Sequence, residues 1–257
     1  LKMFHPGKPV HLSSVLPILE NMGVSTLSEL PFKICPPGPK VCMWMHDFLL
    51  ELKSDAIKIK PKEIKYLFQD ALAQIWAGNI DNDELNSLVL AAVPWRHIVV
   101  LRTYVYYLRQ TKISYDTSYI LNTLVKHPKI AMALVELFTV RFDPEYGKTR
   151  EKDEKTAEAA IIDLLNAVAS LDEDTILRSV LRLIKATLRT NFYQFDEDGE
   201  HKNYLSIKLD SQQIPELPKP RPYREIFVYS PRVEGIHLRG DVIARGGIRW
   251  SDRNEDY

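Results

Sequence analysis

Long apolar runs are missing from this sequence. No uninterrupted stretch approaches the roughly 18 residues that a membrane-spanning helix needs, and no leader-type pattern opens the chain. A membrane partner is therefore not expected, and the expected location is cytoplasmic. An excess of either charge is missing too. Lys plus Arg and Asp plus Glu are both 34, so the net charge is zero. Broad binding to nucleic acid needs surplus positive charge, so no nucleic-acid partner is expected.

Cysteine is scarce. The only two, Cys35 and Cys42, lie in "CPPGPKVC". Their spacing matches no common zinc pattern, and no second Cys/His pair accompanies them. No metal site is expected. A pair of free cytosolic thiols is the favoured reading, with a disulfide closing the turn as the alternative. Familiar catalytic signatures are also missing: no HExxH, no P-loop, no GxSxG, and no GxGxxG leading into a helix. Seven histidines, at 5, 11, 46, 97, 127, 201 and 237, never pair at metal-binding spacing. They read as surface or packing residues. No internal repeat appears. The chain starts with Leu and ends in "SDRNEDY", so both ends read as cut from a longer polypeptide.

What is present is ordinary globular composition, 45% hydrophobic and 26% charged. The patterning divides into three parts. Residues 1–55 read as a partial α+β unit. "LKMF" is strand-like. "SSVLPILENMG" is helical, with Ser13 and Ser14 as cap candidates, Pro17 suited to a first turn, and Gly23 as a stop. "PFKICPPGPKVCMWMHDFLL" reads as two strands around a Pro-Gly turn.

Residues 56–192 read as helical. Ile64, Leu67, Phe68, Ala71, Leu72 and Ile75 recur at spacings of three and four. Gly78 closes that helix and "DND" at 81–83 caps the next, whose stripe is Leu85, Leu88, Val89 and Ala92. Pro94 opens another helix, with Ile98, Leu101, Val105 and Leu108 inward. "HPK" at 127–129 marks a break, since the residue before proline avoids helical geometry. "GKTREKDEKT" is an exposed loop or helix entry, and "SLDED" a cap whose acids suit a helix N-terminus. Trp76, Trp95, Tyr104, Tyr106 and Tyr107 read as core. In "LRTNFYQ", Arg189 and Asn191 read as capping a helix end, with reaching toward the later glycine-arginine segment as the alternative.

Residues 193–257 return to strands. "NYLSIKLD" alternates, "PELPKPRPYRE" is an extended connector, and "EIFVYS" and "DVIARGGIRW" are strand-like. The fold class is thus mostly α, a central multi-helix domain flanked by a partial α+β unit and by the first strands of a third unit.

One stretch carries chemistry: "RGDVIARGGIRWSDR". Adjacent glycines let a backbone approach a ligand closely, and their N–H groups can converge on an anion. Arginine grips a carboxylate through two parallel hydrogen bonds. On a straight strand Arg245 and Arg249 would face one side, about 13 Å apart. Asp252 is placed to pair with an arginine. The chemistry fits a carboxylate or phosphate site, and equally a hairpin turn rimmed with ion pairs.

"ARGGIRWSDRNEDY" resembles the start of the catalytic domain in large-subunit bacterial NAD-dependent glutamate dehydrogenases. "DNDELNSLVLAAVPWRHIVVLRTYVYYLRQ", "HPKIAMALVELFTVRFDP" and "SLDEDTILRSVLRLIKATLRTNFYQ" resemble that family's helical region. "LKMFHPGKPVHLSSVLPILENMGV" is similar to its ACT-like region. The resemblance implies that Arg245, Gly246 and Gly247 bind a carboxylate of L-glutamate or 2-oxoglutarate, supported by Arg249, Ser251 and Asp252. The smaller glutamate dehydrogenases have lysine where Arg245 stands. The resemblance also implies NAD as cofactor of the parent enzyme and a homo-oligomer. Catalytic lysine, catalytic aspartate and nucleotide-binding domain are expected downstream, so this stretch alone is expected to be inactive. The contrasting expectation is a self-contained helical interaction or oligomerisation scaffold with no metabolite site.

Overall fold

In the computed structural model, residues 1–35, 37–38, 41–53, 61–240 and 248–250 are described. They form seven α-helices and two small antiparallel sheets, so helix predominates. The chain divides into two compact units, Leu1–Trp95 and Arg96–Tyr257.

The first unit begins with β1 (Lys2–Pro6), α1 (Leu12–Asn21), β2 (Val24–Ile34) and β3 (Met43–Leu52). The sheet order is β1-β3-β2. The start of α1 differs from the expected serine cap. Its N-cap is His11, which makes no side-chain cap bond, so Ser13 and Ser14 fall in the first turn and Pro17 lies inside the helix. The cause is tertiary. The Val10 N–H donates to the Nε2 of His46, 3.1 Å away on β3, and this anchors the chain just before the helix. Gly23 ends α1 at φ 84°. A Cβ there would stand 2.8 Å from Leu90 Cδ1, so both backbone and packing demand glycine.

Cys35 and Cys42 form a disulfide, which corrects the expectation of free thiols. The register explains it. Ile34 faces Met43 across the β2–β3 pair, and the cysteines are the next residues outward on each strand.

Helix α2 (Pro61–Trp76) buries Ala71, Leu72 and Ile75, as its stripe predicts. Trp76, its last residue, is 38% exposed and not core. Asp83 then caps a 3-10 helix, Glu84–Ala91, by accepting from the Leu85 N–H at 3.1 Å. Leu85 and Leu88 are buried, a spacing of three that suits three residues per turn. Ala92, expected on the stripe, is exposed at φ 61° and serves as the helix C-cap. The chain must turn there, because Val93 precedes a proline.

The second unit is led by α3 (Trp95–Leu108), whose first residue is the last of the first unit, followed by α4 (Thr117–Lys126), α5 (Pro128–Phe142), α6 (Arg150–Leu165) and α7 (Leu171–Ala186). Ile98, Leu101, Val105 and Leu108 are buried as expected, together with Tyr104 and Tyr107. His127 alone separates α4 from α5, at the predicted His-Pro break. Ser170 caps α7, accepting from the Glu173 N–H at 3.4 Å, with Asp172, Glu173 and Asp174 in the first turn. "GKTREKDEKT" is a helix entry, since α6 starts at Arg150.

Helix α7 runs directly into β4 (Thr187–Thr190). Arg189, within β4, and Asn191, just after it, therefore cap no helix, which corrects that expectation. The Asn191 amide bridges to the neighbouring strand, donating to Tyr204 O at 3.1 Å and accepting from Ser206 N at 2.7 Å. Four more strands follow: β5 (Leu205–Leu209), β6 (Arg224–Ser230), β7 (Val233–Arg239) and β8 (Ile248–Trp250). The segment "RVEGIHLRG" between the two expected strands is itself mostly strand β7. The proline-rich stretch connects a short 3-10 helix, Ser211–Gln213, to β6, and buries Leu217 on the way.

Candidate functional site

The five-stranded sheet has the order β4-β5-β6-β7-β8, antiparallel throughout. Strict alternation buries Leu205, Ile207 and Leu209 on β5, and Glu225, Phe227 and Tyr229 on β6. The register sets these residues opposite one another, Leu209 to Glu225, Ile207 to Phe227 and Leu205 to Tyr229. The row continues outward, with Phe227 facing Ile236 on β7 and Ile236 facing Arg249 on β8.

Helix α3 supplies the polar contacts on this sheet. Tyr104 Oη lies 2.9 Å from Thr187 Oγ1 on β4. Tyr107 donates to Glu225 Oε2 on β6 and meets the edge of Phe227, ring centroids 5.5 Å apart. The Tyr106 ring lies 4.9 Å from that of Tyr229. Arg109 pairs with Glu234 on β7 at 3.3 Å. Tyr104, Tyr106 and Tyr107 on α3, and Arg109 just after its last residue, thus address β4, β6 and β7.

Glu225 is only 2% exposed. Burial pushes its carboxyl above the ordinary carboxylate range, and the bond from Tyr107 opposes that shift. Burial likewise raises the Tyr104 phenol, while the hydrogen bond with Thr187 lowers it. A second polar group surrounds Phe192. Arg96 stacks 4.3 Å from the ring centroid and donates to Phe192 O at 2.6 Å. Burial lowers its pKa to about 10. His97 packs 5.1 Å from the same ring and lies 3.4 Å from Thr139 Oγ1. Burial, aided by the Arg96 charge, lowers its pKa to about 4.

Of the residues the sequence singles out, Arg249 lies on the described backbone, in β8 at the edge of the sheet, opposite Ile236. Arg245, Gly246, Gly247, Ser251 and Asp252 lie outside the described residues. The residues that sequence reasoning passed over are Glu225, Arg109 and Glu234. A signal existed for Glu225, since it is in phase with Phe227 and Tyr229 on one strand. Among the described residues no group of His, Cys, Asp and Glu could hold a metal ion. No helix among them is long and apolar enough to cross a membrane.

Three family models match consecutive parts of the chain. They are the glutamate dehydrogenase ACT3 domain over residues 1–62, glutamate dehydrogenase helical motif 3 over 80–144, and the bacterial NAD-glutamate dehydrogenase catalytic domain over 160–257. Over its whole length the chain is 46% identical to the NAD-specific glutamate dehydrogenases of Halomonas elongata and Pseudomonas aeruginosa. It is 40% identical to that of Mycobacterium tuberculosis. The chain belongs to the bacterial NAD-glutamate dehydrogenase family. It spans 16% of the length of each of these relatives.

Family membership raises the question of NAD. A dinucleotide fold needs parallel strands joined by a helix, with a glycine-rich turn at the helix N-terminus. Every described strand pair here is antiparallel. The described residues therefore do not fit the cofactor. What the sheet can do is present a strand edge, with α3 bracing it from one face.

Proposed function

We propose that this chain is part of an enzyme that oxidatively deaminates L-glutamate to 2-oxoglutarate and ammonia, with NAD as hydride acceptor. Within that enzyme, residues 1–55 form an ACT-like regulatory unit, 56–192 a helical linking domain, and 193–257 the start of the substrate domain. Arg245, Gly246 and Gly247 bind a substrate carboxylate, with Arg249, Ser251 and Asp252 supporting them. The enzyme is cytoplasmic and homo-oligomeric.

One observation supports the site reading most. Strand β8 pairs with β7, with Arg249 opposite Ile236, and the Arg-Gly-Gly run is the link that leads into this edge strand. An arginine followed by two glycines suits a carboxylate, because a guanidinium can form two parallel charge-assisted bonds with it. In the full-length enzyme Arg245→Ala should lower kcat/KM for glutamate at least tenfold, about 1.4 kcal/mol of lost carboxylate binding, without unfolding the protein. An unchanged kcat/KM would sink the assignment. The 257-residue chain alone should show no glutamate-dependent NAD reduction.

A further inference from the structure

The proline-rich connector that leads into β6 builds a cationic hollow. Gln212, Lys219, Pro220 and Arg221 line a cavity of about 520 Å³, a size typical of small-molecule sites. The loop around it is held in shape. Prolines at 215, 218, 220 and 222 each fix one backbone dihedral. Leu217 is buried, and the Lys112 N–H donates to Glu216 O at 2.9 Å. Two side chains tie the loop across itself. Gln212 Nε2 donates to Pro222 O at 3.0 Å, and Arg221 Nη2 donates to Pro215 O at 2.9 Å.

The charges of the loop do not balance. Asp210 is taken by Arg224 at 2.7 Å and also accepts from Gln213 Nε2 at 3.1 Å. Glu216 is taken by Arg182 of α7. Lys219 and Arg221 remain, and neither forms an ion pair among the described residues. Arg221 Nε is also shut off from water with no hydrogen-bond partner. A buried donor left in that state is unusual in a folded protein and points to a missing acceptor.

We propose that this hollow binds the phosphate group of a small phosphate monoester. Lys219 supplies a point charge, Arg221 its guanidinium, and Gln212 the second N–H of its amide. Charge selects the ligand. Two positive charges lack a counterpart here. A carboxylate brings one negative charge, whereas a phosphate monoester brings about 1.5 to 2 at neutral pH and matches both. The surplus is confined to these two side chains, too few to hold a nucleic acid or an anionic membrane surface. The braced loop adds affinity, because its donors are already positioned and little ordering is needed on binding. This site does not depend on the role given to Arg245.

The test is calorimetric titration of the 257-residue chain with glycerol 2-phosphate at neutral pH and constant ionic strength. One site should appear, with a dissociation constant below about 1 mM. The Lys219 side chain makes no hydrogen bond, so Lys219→Gln should keep the wild-type Tm while raising the dissociation constant at least about tenfold. Acetate should bind at least about tenfold more weakly than the ester. Acidifying below the second phosphate pKa, about 6, should weaken binding as the ligand loses its second charge. Arg245→Ala should leave the affinity unchanged. No binding by about 10 mM ester, far above the expected constant, would overturn the proposal. So would a Lys219→Gln chain that binds as tightly as the wild type, acetate that binds as tightly as the ester, or binding abolished by Arg245→Ala, which would put the ligand in the glycine-arginine segment instead.

Discussion

Protonation of His97 should set the acid limit of the second unit's stability. The ring is packed against Phe192 and lies beside the Arg96 guanidinium. Both burial and that charge disfavour the imidazolium, and the pKa falls from 6.5 to about 4. In the unfolded chain the pKa returns to about 6.5. Between those values the unfolded state holds a proton that the folded state lacks. A depressed folded pKa therefore contributes stability that is complete above pH 6.5 and is lost as pH falls through 4. At about 1.4 kcal/mol per pH unit the full window is worth about 3.5 kcal/mol, and partial exposure of the ring reduces this to roughly 2 kcal/mol. His97→Phe keeps a ring against Phe192 and removes the titration. Urea unfolding followed across this pH range should show a steeper loss of stability in the wild type than in His97→Phe. NMR titration of the His97 ring should give a midpoint well below 6.5. Parallel stability curves for the two proteins, or a midpoint near 6.5, would refute the reasoning.

Two further perturbations probe packing. Tyr107→Phe deletes the donor to Glu225 and leaves a buried carboxyl without its bond, at a cost of about 2 kcal/mol, read as a fall in the unfolding midpoint of the second unit. Because burial raises the Glu225 pKa, its contribution to stability is complete below the unfolded carboxylate pKa and declines as pH rises through the folded one; Glu225→Gln should flatten that decline, and an unchanged pH profile would count against it. Gly23→Ala forces a left-handed backbone on alanine and drives its Cβ to 2.8 Å from Leu90 Cδ1. A loss of about 1–3 kcal/mol should appear in the first unit's thermal transition.

The elements legible in the sequence are those decided by local stereochemistry. Pro128 forces a break at His127, Asp83 and Ser170 offer oxygens to the first N–H groups of their helices, and Gly78 takes φ 72° where α2 must stop. A periodic stripe tells which side of a helix is buried but not where the helix ends. That is why Trp76 and Ala92, both in phase, emerge exposed at helix termini. The start of α1 and the Cys35–Cys42 bond depend on partners distant in space. A histidine 36 residues away fixes Val10, and the β2–β3 register brings the two sulfurs together. Compartment and spacing carry no information about that register.

The site shows the same division. The ligand chemistry proposed for it is local, two glycines flanked by arginines, and is read from ten residues. Its support is not. Glu225 shares the phase of Phe227 and Tyr229, which announces a buried carboxyl but not how it is tolerated. The answer is a hydroxyl 118 positions earlier in the chain, on α3. Neither partner would be favourable alone: a buried phenol and a buried carboxyl each need a hydrogen bond. Together they tie α3 to β6, while Arg109, the residue after that helix, pairs with Glu234 on β7. Glu234 is followed by Gly235, which pairs with Trp250 on β8. The edge strand that leads away from the Arg-Gly-Gly run is thus held through β7 by a helix from the middle of the chain. Disturbing that helix should move the strand without touching any group that meets a substrate.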